Sequence, residues 1–328
     1  MTALWALVVI VNKRVLTYID PTAVNFFVRI AAVVGLLLIT LPLTALRLWD
    51  NGFGINAVAA GWMALSAVAT WLIAFTAYYY ALRGERVAVV APICSTDPLW
   101  TALFAWLILG TAFGALTFAG MAVAMAGVLL ITRWMQAGDE AEAGALAGAA
   151  HGEVLPGPAA PAAPAGPAGP DAAPAPRAGG SRFVALAVLA AVGWGLGPVF
   201  VTLASSAYGK PTATMMLESQ GLGMLMLGAL LLARRRPLST RRLTPAERRR
   251  AALLLVAAGL LEAAITVLFF LAIAAIGPVL TMLIMATTPV FTIVFGFAFL
   301  RERVAPRLAL AAVVTVVGVM LAALDGLR

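Results

Sequence analysis

Apolar residues follow one another in long runs along most of the 328-residue chain, and polar residues fall mainly between the runs. Runs of about 18 or more predominantly apolar residues are typical of transmembrane helices, and the lack of strict alternation disfavours barrel strands. A backbone in lipid must satisfy its hydrogen bonds within its own segment, so each run is predicted to be a helix. The predicted spans are residues 1–15, 21–46, 58–82, 87–109, 113–135, 183–204, 211–233, 251–275, 277–299 and 306–324.

The composition agrees with an all-α polytopic membrane protein. Hydrophobic residues make up 63% of the chain and charged residues 11%, whereas soluble domains carry about 25% charged residues. Cys94 is the only cysteine and His151 the only histidine, so a disulfide, a cysteine-based metal site and histidine-based catalysis are disfavoured. We therefore expect no metal, no cofactor and no catalytic residue, and we predict that the chain is not an enzyme.

The stretch between residues 137 and 181 is rich in proline, alanine and glycine. Such a tract buries too little apolar surface to fold, so it is predicted to be a disordered linker. The linker separates a first unit, residues 1–136, from a second unit, residues 182–328. Each unit holds five of the ten predicted spans.

The two units resemble each other in sequence. The stretch that begins YYYALRGERV aligns without gaps with the stretch that begins FFLAIAAIGP, at a shift of 191 residues, and DPTAVNFF aligns with KPTATMML. Pro98 then falls on Pro289, and Gly127 falls on Gly318. Because each unit has an odd number of spans, the second must enter the membrane in the opposite sense. The pattern predicts an inverted repeat of two five-helix halves, which is typical of secondary transporters.

The first helix is shorter than its counterpart. Trp5 and Trp194 occupy similar places, but only residues 1–4 precede Trp5, whereas residues 183–193 of the same span precede Trp194. A helix rises about 1.5 Å per residue, so residues 1–15 are too few for a bilayer of about 30 Å. We expect that the first helix is truncated and that the true start lies upstream; a partial first helix is the alternative.

The chain resembles the EamA-type members of the drug/metabolite transporter superfamily, which have two five-helix repeats. The residues that carry the resemblance are Trp5 and Trp194, Arg29, YYYALR in the third helix, Pro98 and Pro289 in each fourth helix, and LRERV followed by the helix of Gly318. The first half departs from the family pattern, because Asp97 replaces a small hydroxyl residue and Gly110–Thr111 lacks an acid. The resemblance implies a multi-pass transporter of the cell membrane, that is, the bacterial inner or plasma membrane.

The orientation in the membrane stays open. Loops that follow odd-numbered helices carry most of the positive charge, which by the positive-inside rule makes them cytoplasmic and places both termini outside. The family resemblance implies both termini inside.

Four charged residues lie away from the ends of the predicted spans, where each costs a few kcal/mol or more: Arg29, Asp97, Glu218 and Glu262. Glu262 is predicted to accept a proton or bind a substrate amine, or else to be a protonated acid hydrogen-bonded to a neighbouring helix. A pair between Arg29 and Glu218 is left open, and Arg29 is interpreted either as a structural or gating residue or as a site for a substrate carboxylate. Asp97 is predicted to serve proton coupling or cation binding, or only to fix packing by bonding Arg29 or a hydroxyl.

Several further residues are candidates with a competing interpretation. Trp71 and Trp100 are deep enough to line an aromatic substrate pocket, although aromatic residues near span ends are more often interface anchors. Pro98, Pro289 and Pro198 are predicted helix kinks. The arginine-rich loop of residues 234–250 is interpreted as a topology and lipid-binding feature. As partners we expect a small-molecule substrate and the lipid bilayer, and we expect no nucleic acid. Whether the chain forms a homodimer is left open.

The function predicted is a secondary transporter that works by alternating access, an exporter of small metabolites or amino acids, with proton coupling as an option. No Walker A pattern is present, so ATP hydrolysis by this chain is not supported. Uptake of a metabolite is the nearer alternative. Two more remote alternatives are an intramembrane enzyme that acts on a lipid-linked substrate and a non-transporting interaction protein.

Overall fold

The regular elements in the described part of the chain are helices. The structure, a computed structural model, describes residues 1–16, 19–46, 54–84, 90, 93–94, 96–127, 129–130, 133–134, 180–234, 243–288, 290–291 and 306–325. The helices of the first unit are α1 Thr2–Val15, α2 Pro21–Ala45, α3 (Ala57–Ala67, Val68–Ala74 and Phe75–Gly84), α4 Asp97–Leu109 and α5 Ala115–Gly127. Those of the second unit include α6 Gly180–Tyr208, α7 Ala213–Arg234, the helical stretch Pro245–Met285 and α10 Pro306–Asp325.

The stretch Pro245–Met285 is divided at Gly277, whose φ of 76° and ψ of 170° are not helical. We call residues 245–276 α8 and residues 278–285 α9. Only glycine adopts this conformation readily, and Pro278 supplies no N–H to continue the preceding helix. The boundary predicted between spans 251–275 and 277–299 therefore falls at this glycine.

Five helical stretches in the described residues are long and apolar enough to cross a membrane: Pro21–Ala45, Ala57–Arg83, Arg182–Tyr208, Ala213–Arg234 and Pro245–Met285. The helix α1 has 14 residues, whereas its repeat counterpart α6 has 29. These lengths support an all-helical membrane protein, but they do not by themselves amount to the ten spans predicted from the sequence.

Local signals in the sequence place the helix ends. The side chain of Asp20 accepts a hydrogen bond from the Thr22 amide at 2.9 Å at the start of α2, and Asn56 accepts one from the Ala59 amide at 2.8 Å at the start of α3. Short polar side chains at this position replace the missing intrahelical partners of the first amides. Gly110, with a φ of 65°, ends α4 as a left-handed cap.

The packing of the helices follows the repeat. The helix α3 packs against α6, and their counterparts α8 and α1 also pack against each other. A Cβ added at Gly127 of α5 would lie 2.9 Å from the Ala311 carbonyl oxygen, and one at Gly120 would lie 2.6 Å from the Gly318 carbonyl oxygen. The residue numbers in α10 therefore rise as the numbers of the α5 residues that they contact fall, which means that α5 and α10 are antiparallel.

Candidate functional site

Arg29 is fully buried in α2 and lies between the two units of the chain. Its exposed fraction is 0%, and its Nη1 atom donates a hydrogen bond of 2.6 Å to Oε1 of Gln220 in α7. Its Nη2 atom donates to Oε2 of Glu262 in α8, which is 2% exposed, and the two form an ion pair. The pair therefore combines a cation from the first unit with an acid from the second.

Aromatic side chains of α3 cover the guanidinium. The Arg29 Cζ atom lies 4.1 Å from the ring centroid of Trp71 and 5.1 Å from that of Phe75. The hydroxyl of Tyr79 also interacts with the Arg29 side chain. Cation–π contacts of this kind are strongest when the cation is desolvated, as it is here. One face of Arg29 is thus aromatic, and the other is polar.

A wide helical turn brings Trp71 into the site. Residues Val68–Ala74 form a π-helical segment within α3, and Nδ2 of Asn25 donates to the carbonyl oxygen of Trp71 at 2.9 Å. Such segments disturb the regular hydrogen-bond ladder and often occur at functional sites. Gly223 of α7 gives the indole room, because a Cβ there would lie 2.7 Å from Cβ of Trp71.

A chain of hydrogen bonds fixes the Gln220 amide. Its Nε2 atom donates to the Thr266 hydroxyl at 2.8 Å, and that hydroxyl donates to the Glu262 carbonyl oxygen at 2.8 Å. The amide oxygen of Gln220 is therefore directed at Arg29. Within the described residues, Nε of Arg29, Oε1 of Glu262 and Oδ1 of Asn25 are buried without a hydrogen-bond partner. These atoms retain hydrogen-bonding capacity for a polar ligand.

The network repeats itself across the two units. Nε1 of Trp71 donates to Oγ of Ser219 at 2.8 Å. The alignment of DPTAVNFF with KPTATMML, continued two residues, places Arg29 opposite Ser219, and the shift of 191 residues places Trp71 opposite Glu262. The Arg29–Glu262 ion pair and the Ser219–Trp71 hydrogen bond are therefore equivalent contacts, one between α2 and α8 and one between α7 and α3.

The pair between Arg29 and Glu218, which the sequence left open, does not form. Glu218 is half-buried and makes no ion pair in the part of the chain that the structure describes. Successive helix residues are rotated by about 100°, so the buried face of α7 that carries Ser219 and Gln220 directs Glu218 elsewhere. The acid that pairs with Arg29 is Glu262, one of the other candidates.

Asp97 and Trp100 lie outside this network. Asp97 begins α4 and is 9% exposed, and no described side chain donates a hydrogen bond to its carboxylate. The alternative in which Asp97 bonds Arg29 is therefore wrong. Trp100 stacks on Phe104 with ring centroids 6.5 Å apart, and its backbone packs closely against Gly195 of α6.

The predicted kinks have different outcomes. Pro98 lies in the first turn of α4, where its missing N–H costs no hydrogen bond within α4 itself, so the predicted span 87–109 is interrupted rather than bent there. The helix α6 continues through Pro198 as one element. Pro289 lies outside the described residues.

Sequence reasoning did not assign Gln220, Asn25, Tyr79 or Asn12 to the site. Nδ2 of Asn12 in α1 donates to the Tyr79 hydroxyl at 2.9 Å, so α1 also supports the side chain next to Arg29. The signal that was available is the presence of amide side chains inside apolar spans. Buried amides are normally hydrogen-bonded, and they point to a polar partner on a neighbouring helix.

An open groove of about 750 Å³ lies outside the buried network, between α3, the first half of α6 and the end of α7. Its wall is apolar, and its polar members are Thr76, Tyr80 and Arg234. The Arg234 Nη1 atom lies 3.4 Å from the Tyr80 hydroxyl, at the rim. The groove adjoins the site through α3 but contains no residue of the ion pair.

Secondary transporters combine apolar helices with an internal repeat, and they often bury charged residues where the two repeated units meet. This chain has all of these features. A family model for the EamA-like transporter family matches residues 1–133 and 181–324, so the chain belongs to that family. The resemblance seen in the sequence is thereby confirmed, and the protein is a membrane transporter of the drug/metabolite type.

Solved structures agree on the fold. One protein crystal structure is similar over 98% of this chain and 94% of its own, with a TM-score of 0.62 and 12% sequence identity. At that identity the likeness concerns the fold alone. The comparison with curated proteins gives no match.

Proposed function

We propose that this protein is a proton-coupled secondary transporter of the cell membrane that exports small metabolites, above all amino acids, by alternating access. The observation that carries the proposal is the buried Arg29–Glu262 ion pair between the two units. A buried pair of this kind is an uncertain source of stability, because desolvation of both charges offsets their attraction. A functional role accounts better for its presence.

The ion pair fits a zwitterionic substrate. An amino acid carries a carboxylate that can replace Glu262 beside Arg29, and an ammonium group that can replace Arg29 beside Glu262. Neither protein charge is then left unpaired in the membrane. Nε of Arg29 and Oε1 of Glu262, which have no hydrogen-bond partner among the described residues, supply one more donor and one more acceptor. The rings of Trp71 and Phe75 lie beside the guanidinium and offer an apolar wall to a side chain.

Exchange of partners also links binding to alternating access. The ion pair joins α2 to α8, so it holds the units together while the site is empty. A substrate that takes over both charges removes this direct link, and one unit can then move against the other.

The proposed architecture is ten helices in two five-helix halves of opposite orientation. The antiparallel packing of α5 and α10 supports it, because these helices are repeat counterparts. The test is labelling with an impermeant thiol reagent in a Cys94→Ala background. Leu46→Cys at the end of α2 and Arg234→Cys at the end of α7 should react from opposite sides of the membrane. Reaction from the same side would contradict the inverted repeat.

The transport test uses proteoliposomes of defined orientation with a panel of amino acids, organic anions and organic amines, with and without a pH gradient. We expect flux of at least one zwitterion, loss of that flux in Arg29→Gln and Glu262→Gln, and normal flux in Arg249→Gln, an exposed control. Absence of flux for every solute would contradict transport. Zwitterion flux that persists in Glu262→Gln would contradict the site.

A further inference from the structure

The helix is interrupted just before α4, and we call this interruption a break. A break with the same hydrogen bonds lies at the end of α9. In the first unit the Thr96 amide donates to the Ile93 carbonyl at 3.1 Å, and the Leu99 amide donates to the Thr96 carbonyl at 3.0 Å. The hydroxyl of Thr96 also donates to the Ile93 carbonyl, at 2.7 Å.

The residues 191 positions later make the same bonds. The Thr287 amide donates to the Ile284 carbonyl at 3.1 Å, the Val290 amide to the Thr287 carbonyl at 3.0 Å, and the Thr287 hydroxyl to the Ile284 carbonyl at 2.7 Å. The two units therefore share this break in their backbone and in one side-chain bond.

A proline follows in each break and leaves one carbonyl without its usual helical donor. Proline has no N–H, so the carbonyl four residues before it loses its partner. That carbonyl belongs to Cys94 in the first unit and to Met285 in the second. In the second unit the Thr288 hydroxyl donates to the Met285 carbonyl oxygen at 2.6 Å. In the first unit the residue at the equivalent position is Asp97.

We propose that Asp97 is the proton-binding group of the transport cycle, and that its protonated carboxyl donates to the Cys94 carbonyl as the Thr288 hydroxyl donates to Met285. Release of the proton to water leaves a carboxylate, which cannot donate and is repelled by that carbonyl oxygen. The proton thus makes or breaks the bond that closes this helix break. The inference rests on the proposed transport function for its role, although the bond itself does not.

The surroundings of Asp97 suit a group with two states. It is 9% exposed and lacks a side-chain donor among the described residues, so the protonated form is not excluded by a fixed cation. The ionised form has some compensation, because Asp97 lies in the first turn of α4, where the helix dipole favours an anion. Neither state is therefore locked by a partner.

Among the residues that the structure describes, few other titratable groups face this position. The Cys94 thiol is near enough to Asp97 for an electrostatic interaction, and Tyr78 of α3 is likewise near Cys94. The side of α6 that meets this break presents Ala187 and Gly195, which carry no charge. The contact of α4 with α9 is apolar and includes Val279 and Leu283. Any pH dependence that arises at this break is accordingly expected from Asp97.

Infrared difference spectroscopy of the full-length protein in liposomes, titrated over pH without substrate, tests the bond. We expect a band of a protonated carboxyl that disappears as the pH rises and is missing in Asp97→Thr at every pH. Thr288→Asp should add a second band of this kind. If no titrating band depends on residue 97, the inference is overturned.

Flux measurements test the role. Asp97→Thr, which copies the second unit, should keep flux but lose its dependence on the pH gradient, and Asp97→Asn should behave alike if the threonine variant does not fold. Unchanged pH dependence in the folded variant would overturn proton coupling by Asp97. A failure of the proposed function is distinguishable, because it abolishes flux of every solute in the wild-type protein, whereas the infrared titration needs no substrate.

Discussion

Two equivalent contacts at the centre of the molecule use opposite chemistry. Arg29 and Glu262 join α2 to α8 through an ion pair, whereas Ser219 and Trp71 join α7 to α3 through a neutral hydrogen bond of 2.8 Å. The repeat places the four side chains at matching positions, so the backbone alone does not decide where the charges lie. Residue identity has made one side of the site ionic and the other aromatic.

The same contrast holds elsewhere in the chain. The break before α4 and its counterpart have matching backbone bonds, yet one carries Asp97 and the other Thr288. Where α5 meets α10, both units instead keep a glycine, Gly127 and Gly318, at the place of closest approach. Shared residues support packing, and the ionisable residues sit where the units differ.

The largest effect is expected when the ionic contact loses one member. Arg29→Met leaves Glu262 buried without its cation, which should lower the free energy of unfolding by about 3–5 kcal/mol. The double variant Arg29→Met/Glu262→Leu should recover most of that loss, because both charges are gone. Thermal unfolding in detergent measures both. A double variant as unstable as the single one would show that the two residues are not a pair.

A smaller loss is expected where the units are alike. Gly127→Leu forces a side chain against Thr315 and Ala311, and overpacking of this kind costs about 1–3 kcal/mol. Gly318→Leu should have a similar cost if the contact is symmetric. Gly61→Ala is the matched control, because a Cβ there meets nothing within 4 Å. Unequal losses for Gly127→Leu and Gly318→Leu, measured by the same unfolding assay, would contradict the symmetry.

The neutral contact between Trp71 and Ser219 should contribute less to the free energy of unfolding than the ionic one. Trp71→Phe keeps a ring beside Arg29 but removes the hydrogen bond to Ser219, and we expect a loss of about 1 kcal/mol. Ser219→Ala should cost about the same, and the two changes should not add because they remove one bond. The thermal shift of the double variant decides this. Additive losses would mean that each residue stabilises the protein separately.

The smallest effect is expected for an ion pair at the surface. Arg83 and Asp20 approach to 3.8 Å, and the Arg83 side chain is 38% exposed. Exposed pairs contribute about 0–1 kcal/mol, so Arg83→Met should hardly change the unfolding temperature. Asp20 is unsuitable for this test because it also caps α2. A loss comparable to that of Arg29→Met would refute the link between burial and the cost of breaking a pair.

The sequence predicted the all-helical class and most of the helix ends that the structure describes, because apolar runs, prolines and glycines act locally. Gly110 and Gly277 mark two such ends. The partner of Arg29 was not predictable in this way. Glu218 and Glu262 are both acids within apolar spans, and the choice between them depends on how α7 and α8 are rotated about their axes. The π-helical turn that positions Trp71 likewise has no periodic signal, because it is stabilised by Asn25 from another helix.

The ion pair also has a consequence for how the protein is made. Arg29 and Glu262 are separated by 233 positions, so Arg29 leaves the ribosome long before its acid exists. An arginine is costly in lipid, and until α7 and α8 are inserted only side chains of the first unit can shield it. Trp71, Phe75 and Tyr79, which surround the guanidinium in the folded protein, have been synthesised by then. We therefore expect these aromatic side chains to shield the Arg29 guanidinium during biosynthesis, until Glu262 is inserted and pairs with it.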